Sequence, residues 1–296
     1  MITSNELNQV IFPYFDISLQ AENELHYTPI TAGCINDCYK VTGKDNRIFF
    51  VKANTTSDHA GIGILGSEKT GLQYMETKQV IKTPAIAGFH SIKNGHVLIL
   101  EWIQQATPGK HAWQQLGKQL AALHQVSSEQ FGFYENNYIG SLPQLNTWKE
   151  TWFEFFLENR LNPQVQLAVH KNLLPASTGD KIINCWEKQA VWFTNEKPSL
   201  LHGDLWKGNI LFDENETPVL ADPSVYYGSR HMDMAMTTLF GGFDPAFYES
   251  YHHHFPLPAN HKQIWDICNL YPLLVHVNLF GRSYLPNVLS ILKKYN

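Results

Sequence analysis

The 296-residue sequence predicts an α+β fold in two lobes. A small β-rich lobe is expected over residues 1–103 and a larger, mainly helical lobe over 104–296. Three observations carry this expectation. Runs rich in β-branched and aromatic residues, 48–53 and 95–103, flank one helical segment around Glu68 in the first third of the chain. Beyond them, Trp113, Leu116, Leu120 and Leu123 share one face of a helix over 111–126, which opens the second lobe. Further on, short apolar strands at 199–202, 209–212 and 219–221 are separated by polar turns, and each of the two turn regions holds or adjoins a carboxylate.

In chain order, the first element with chemical content is the segment 31–41. It has one glycine followed by small and polar residues leading into a strand. The backbone N–H groups of Gly33, Cys34, Ile35 and Asn36 are suited to cradle phosphate there. Cys34 has two readings. Loop N–H groups and Lys52 would favour its thiolate, so that oxidation blocks the loop and two chains can link Cys34 to Cys34. A small residue that fits a tight loop explains it as well.

The strand 48–53 ends in Lys52-Ala53, and Glu68 follows sixteen residues after the lysine. Ser67 is a candidate helix cap, and Glu68, Leu72 and Met75 would then lie on one face. Gly61-Ile62-Gly63-Ile64-Leu65-Gly66 satisfies G-x-G-x-x-G. It lies after Lys52, and Glu68 and Glu76 come too early for the ribose-binding acid of a dinucleotide fold. It is expected to be a flexible connector before the Glu68 helix.

The hydrophobic strand 95–103 leaves the first lobe through Glu101, Trp102 and Ile103, and Thr107-Pro108-Gly109 then breaks regular structure. In a two-lobed kinase this is the hinge, where main-chain groups of Glu101 and Ile103 hydrogen-bond an adenine edge. An ordinary strand and turn fits the same residues.

Asp204-Leu205-Trp206-Lys207-Gly208-Asn209, followed by Ala221-Asp222-Pro223, is the most informative stretch. An Asp, an Asn five residues on and a second Asp thirteen beyond it match a kinase catalytic loop. On that pattern Asp204 takes or orients the proton of an attacking hydroxyl. Asn209 and Asp222 hold Mg²⁺ on the phosphates of ATP, and Lys52 with Glu68 clamps those phosphates. The protein-kinase-like reading places ATP in the cleft between the lobes.

Composition excludes several other classes. Charged residues make up 17%, below the roughly 25% of an average chain, while aromatic residues reach 13% with eight Trp. A net charge of −5 lacks the basic footprint of a nucleic-acid binder. The opening residues show no basic, then apolar, signal segment. The apolar run 271–279 is short and interrupted by His276 and Asn278, so no membrane span is expected. The cytoplasm is the default location. Cys34, Cys38, Cys185 and Cys268 form no CxxC pair, and Cys185 and Cys268 sit in apolar helical settings as small core residues. His252-His253-His254 lies before Phe255-Pro256 without accompanying ligands, so a cluster closing a helix end is favoured over a metal site.

Several motifs together resemble the fructosamine/ketosamine-3-kinase family. They are Gly33-Cys34-Ile35-Asn36, Gln119 to His124, Phe131-Gly132-Phe133, Ile139-Gly140-Ser141, Asn146-Thr147-Trp148, Phe155-Phe156 and Arg160-Leu161. His202-Gly203-Asp204-Leu205-Trp206, Asp222-Pro223, Tyr226-Tyr227-Gly228, the run from Leu239 to Phe243 and the run from Leu279 to Tyr284 complete the set, so the similarity extends from about residue 25 to the C-terminus. The resemblance implies ATP-dependent phosphorylation of the C3 hydroxyl of a ketosamine, a rearranged sugar on a small amine or on a glycated protein lysine. The family's product is unstable and returns the amine, which is deglycation. It implies Asp204 as base and makes Trp206, with His202 of the same motif, the substrate-side residues, the sugar stacking on Trp206. After Tyr226-Tyr227-Gly228 the family continues with an acid where this chain has His231, which puts substrate preference or local order in question. Two alternatives remain: a kinase for another hydroxylated amine, of aminoglycoside or choline type, and a pseudokinase that binds nucleotide without transfer.

Overall fold

The structure is a computed structural model that describes residues 4–15, 25–30, 36–55, 63–93 and 95–295. Gly33, Cys34 and Ile35 lie outside the described residues, and with them most of the expected phosphate loop and the Cys34–Cys34 link. Two compact units emerge. One comprises 1–107 with 211–222, the other 108–210 with 223–296. The division therefore differs from a single cut after residue 103.

The first unit opens with α1 (Ser4–Ile11) and is built on a five-stranded sheet. Its strands are β1 (Leu25–Ile30), β2 (Asp37–Gly43), β3 (Ile48–Thr55), β4 (Ile86–Ile92) and β5 (Gly95–Glu101), in the order β1-β2-β3-β5-β4. All neighbours are antiparallel. Alternation along the strands separates two buried faces. Val51, Ala53, Val97 and Ile99 pack against Leu7 and Ile11 of α1 and against Phe15. Leu98 and Leu100 pack on the other face, against Leu65 and Leu72 of α2 (Gly63–Glu76). With both faces of β5 covered, its interior reads as the unbroken apolar run Val97-Leu98-Ile99-Leu100. Lys52 pairs with Leu98 in the β3–β5 register, and its side chain therefore stands on the α2 face.

The helix α2 starts at Gly63, four residues before the expected cap. Ser67 is buried inside it, and Gly63 to Gly66 form its first turn instead of a connector. Packing explains the correction. Leu65, Glu68, Leu72 and Met75 recur at helical spacing along the sheet-facing stripe, and seating Leu65 draws the glycines into the helix.

The second unit begins with α3 (Lys110–His124), whose Trp113, Leu116, Leu120 and Leu123 are all buried. A small hairpin follows, β6 (Asn137–Ile139) with β7 (Leu142–Gln144). Next come α4 (Trp152–Phe156), a π-turn over Leu157–Leu161, α5 (Asn162–His170), α6 (Ala176–Gln189) and β8 (Ser199–Leu201). The chain then supplies β9 (Ile210–Phe212) and β10 (Pro218–Leu220), a hairpin closed by Asp213, whose carboxylate accepts the N–H groups of Asn215 and Thr217 at 3.0 and 2.9 Å. This hairpin joins the first unit because Leu220 donates its N–H to the carbonyl of Lys82 at 2.9 Å. The second unit resumes with β11 (Tyr226–Gly228), paired to β8, and ends in α7 (His231–Met236), α8 (Pro245–His254), α9 (His261–Cys268), α10 (Leu270–Phe280) and α11 (Leu285–Tyr295). Its core is aromatic: Trp152, Phe155, Phe156, Trp186, Tyr226 and Tyr271 are almost fully buried. The buried Arg160 guanidinium lies 4.0 Å from the Tyr226 ring centre and 4.6 Å from that of Phe155. Among the described residues no helix is long and apolar enough to cross a membrane.

Candidate active site

In the first unit the chemistry gathers around one lysine. Lys52 is 2% exposed, far below the usual for this residue type, so its ammonium needs paired charge. Glu68 Oε1 lies 2.9 Å from Lys52 Nζ, and the carboxylate of Asp222 is bonded to the same ammonium. The geometry follows from the sequence. The β3 alternation aims Lys52 at α2, and the 65/68/72/75 stripe brings Glu68 to the sheet. Asp222 closes the β9–β10 segment with φ 55, in the left-handed region that a non-glycine residue occupies only under local constraint. Its side chain stays 41% exposed.

Asn36 is the part of the expected phosphate loop that is described, and its side-chain oxygen accepts a hydrogen bond from the amide of Asn54. At the end of β5 the N–H of Glu101 donates to the carbonyl of Ala85 at 2.8 Å, and its carboxylate accepts the N–H of Ala85 at 3.2 Å. The Glu101 amide is therefore already used. Trp102 lies under Lys40, whose Nζ is 4.7 Å from the ring centre, and Ile103 is buried.

In the second unit the catalytic-loop residues sit between β8 and β9. Gly203 has φ +85, and a Cβ there would run into the Ser224 carbonyl, so the middle residue of His202-Gly203-Asp204 must be glycine. Asp204 is half-buried. Its Oδ2 accepts the side-chain N–H of Asn209 at 2.9 Å, and its backbone carbonyl accepts from the same amide at 2.9 Å. Desolvation pushes the Asp204 carboxyl up to about 7, against the lowering effect of the Asn209 hydrogen bond, and the Asp233 charge raises it further. The Trp206 ring lies over Gly208, where a Cβ would collide with it, and is partly exposed.

His202 corrects the expectation of substrate contact. It is fully buried, because the end of β8 turns its side chain inward. Its N–H donates to Asp233 Oδ2 at 2.7 Å, its carbonyl accepts the N–H of Ser224 at 2.8 Å, and its Nδ1 accepts the N–H of Asp204 at 3.3 Å. His202 holds the loop and does not line it.

The motif positions alone gave no role to Asp233. From α7 its two oxygens accept the N–H groups of His202 and Gly203, at 2.7 and 2.9 Å, while His124 Nε2 lies 3.1 Å from Oδ2. The β6–β7 hairpin adds a buried amide network that also escaped notice. Asn137 donates to the carbonyl of Val225 at 2.8 Å, Gln144 to that of Ser224 at 3.3 Å, and Tyr271 to Gln144 Oε1 at 2.7 Å. The hairpin amides thus hold the chain at Ser224 and Val225, just after Asp222. Glutamine and asparagine at such positions read as ordinary turn residues in sequence.

His231, where a family acid is absent, also faces the interior. Trp265 Nε1 donates to its Nδ1 at 3.2 Å, and burial, reinforced by Arg230, drives its pKa down to about 3. The substitution therefore bears on local packing. His252 to His254 close α8. His252 Nδ1 accepts the N–H of Leu257 at 3.1 Å, His254 Nδ1 lies 2.8 Å from the Ser250 carbonyl, and no metal-holding cluster occurs among the described residues. The Cys38, Cys185 and Cys268 side chains are buried.

Known proteins agree with this architecture. The fructosamine kinase family profile matches residues 11–296. A probable ketoamine kinase of Enterococcus faecium is 36% identical over 269 residues, covering 90% of this chain and 94% of its own. The chloroplastic protein-ribulosamine 3-kinase of Arabidopsis thaliana is 36% identical over 276 residues, covering 90% and 81%. The crystal structure of a putative fructosamine-3-kinase from Haemophilus somnus superposes with a TM-score of 0.84 at 24% identity, covering 98% of this chain and 96% of that one, and so shares the fold. The α+β architecture is protein-kinase-like. The chain belongs to the fructosamine kinase family.

Proposed function

We propose that this phosphotransferase moves the γ-phosphoryl group of ATP to the C3 hydroxyl of a ketosamine, on a small amine or a glycated lysine, and so initiates deglycation. Use of a nucleotide follows from membership of a kinase family. The observation that carries the reading is the buried Lys52 ammonium shared by Glu68 and Asp222, which supports a phosphate clamp. The acceptor hydroxyl gives its proton to Asp204 as its oxygen bonds to phosphorus and ADP departs. A carboxyl near 7 is poised for that transfer at neutral pH. Asn209 and Asp222 fit as oxygen donors for Mg²⁺. Both side-chain N–H interactions of Asn209 go to Asp204, which leaves Oδ1 to coordinate, and Asp222 keeps its carboxylate partly exposed. When bound, Mg²⁺ neutralises charge developing on the phosphates. Glu101 is assigned to adenine through its carbonyl, since its amide is occupied, with the Ile103 amide and the flank of Trp102 beside it. Asn36, with Gly33, Cys34 and Ile35, is assigned to the phosphates. Trp206 is assigned to the sugar face, and the cytoplasm is the proposed location.

ATP turnover measured against a panel of ketosamines, aminoglycosides and choline tests the reading. Turnover with ketosamines and loss of the phosphorylated product to free amine is expected. Turnover with only the other acceptors overturns the substrate, and nucleotide binding without any turnover overturns the activity.

A further inference from the structure

A strip of rings crosses the second unit, starting from the catalytic loop. The Trp206 ring meets Phe240 edge-on at 6.2 Å between centres. Phe240 lies 4.6 Å from His276, which lies 4.9 Å from Tyr284 and 5.5 Å from Phe280. Phe240 is 38% exposed and Phe280 60%. Burial does not explain two large rings held this open.

The backbone adds a second, independent observation. Phe240 has φ 54, a left-handed conformation that costs energy for a side chain of this size. Gly241 follows at φ +106, with nothing within 4 Å of where a Cβ would stand, so its dihedral and not crowding demands glycine. Strain spent on presenting an exposed ring is a mark of a contact surface.

The chemistry of a ketosamine matches the strip. Its C1 bears a secondary amine, protonated at neutral pH, from which the rest of the molecule continues as a hydrocarbon arm. Ring faces attract such a cation and cover the arm. His276 donates from Nδ1 to the Pro272 carbonyl at 2.8 Å, so the neutral ring offers Nε2 as an acceptor. Burial lowers its pKa and keeps it neutral, without a charge to repel the amine. The nearby Arg282 guanidinium is engaged by the Asn172 carbonyl.

We propose that Phe240, His276, Tyr284 and Phe280 form the subsite for the amine-bearing arm of the ketosamine, next to the sugar on Trp206, and so set which amines are preferred. The inference rests on the ketosamine reading above.

Kinetics of Phe280→Ala, a change at an exposed position, test it. The substrates are 1-amino-1-deoxyfructose, which has no arm, N-benzyl fructosamine, and a peptide with fructosyl-lysine. Loss of one ring contact should raise KM for the arm-bearing substrates about tenfold while KM for the armless sugar changes less than about twofold. A larger effect on the benzyl compound assigns the strip to small amines, and a larger effect on the peptide assigns it to glycated lysine. Equal change on all three, or none, overturns the subsite. Benzylammonium titrated by protein fluorescence reads the strip without turnover. Wild type should bind it more tightly than Phe280→Ala and Phe240→Ala do, and indistinguishable binding overturns the proposal even if no ketosamine is phosphorylated.

Discussion

The two compact units treat buried charge in opposite ways. Around Lys52 in the first, every charge meets its opposite, with two carboxylates on one ammonium. In the second, Asp204 has only an amide for a partner among the described residues, and burial, with the neighbouring Asp233 charge, makes its ionisation harder. On the proposed function, the first arrangement suits fixed charges that receive phosphates. The second keeps a carboxyl close to gaining or losing a proton. Binding and proton transfer thus draw on different electrostatics, and substitutions can set one against the other.

The sharpest test removes the proposed proton acceptor. Asp204→Asn should lower kcat by about 10²–10⁴ while the dissociation constant for Mg·ATP holds. A wild-type rate would remove Asp204 from the base role. In the intact enzyme, kcat/KM should fall as pH drops through about 7, because the carboxyl must be ionised to accept. The next largest effect is expected at Asp233→Asn. It leaves one of the two loop N–H groups of His202 and Gly203 facing an amide donor, which should lower kcat by about tenfold or more and cost about 1–3 kcal/mol of stability. A melting temperature and rate equal to wild type would show that the loop holds itself.

Breaking the paired charges should act on nucleotide alone. Glu68→Gln is expected to raise KM for ATP about tenfold, with KM for ketosamine within about twofold. A matching rise in both would mean that the units are not chemically separable. Trp206→Ala is the converse, raising KM for ketosamine by about three- to tenfold and sparing ATP. Equal loss of both affinities would indicate a collapsed loop.

The smallest effect concerns stability. Burial raises the Glu196 carboxyl from 4.5 to about 7, opposed by Arg230 and the Ser229 hydroxyl. The folded state therefore holds this proton more tightly than the unfolded chain does, and the stability it lends below 4.5 is lost as pH rises through about 7. Glu196→Gln should melt at a temperature that gains on wild type across that window. A constant gap between the two melting curves would show that Glu196 does not titrate there.

Much of this was legible in sequence because it rests on short-range spacing. Lys52, Glu68, Asp204, Asn209 and Asp222 are marked by strands of alternating pattern and turns of fixed length, and α3 by four apolar residues at helical spacing. The start of α2 was misplaced because a local cap signal lost to the packing of Leu65. His202 misled because a strand-end histidine beside a catalytic acid looks exposed until the register is known. Asp233, Asn137 and Gln144 stayed hidden for another reason. Their partners, His202, Val225 and Ser224, are dozens of residues away, and no local pattern encodes such a bond.

The hairpin of β9 and β10 has a consequence for the growing chain. The N–H of Leu220 completes a bond to Lys82, and Asp222 completes the charge balance of Lys52, 170 residues earlier. On a ribosome that makes roughly 5–20 residues per second, the amino-terminal sheet emerges well before either partner exists. For several seconds or more, Glu68 is the one counter-charge to Lys52 among the described residues already made. The first unit to begin folding is therefore unable to finish until most of the second has been translated. A nascent chain stalled before residue 211 should be cut by protease within β3 to β5 more readily than one extended past Asp222.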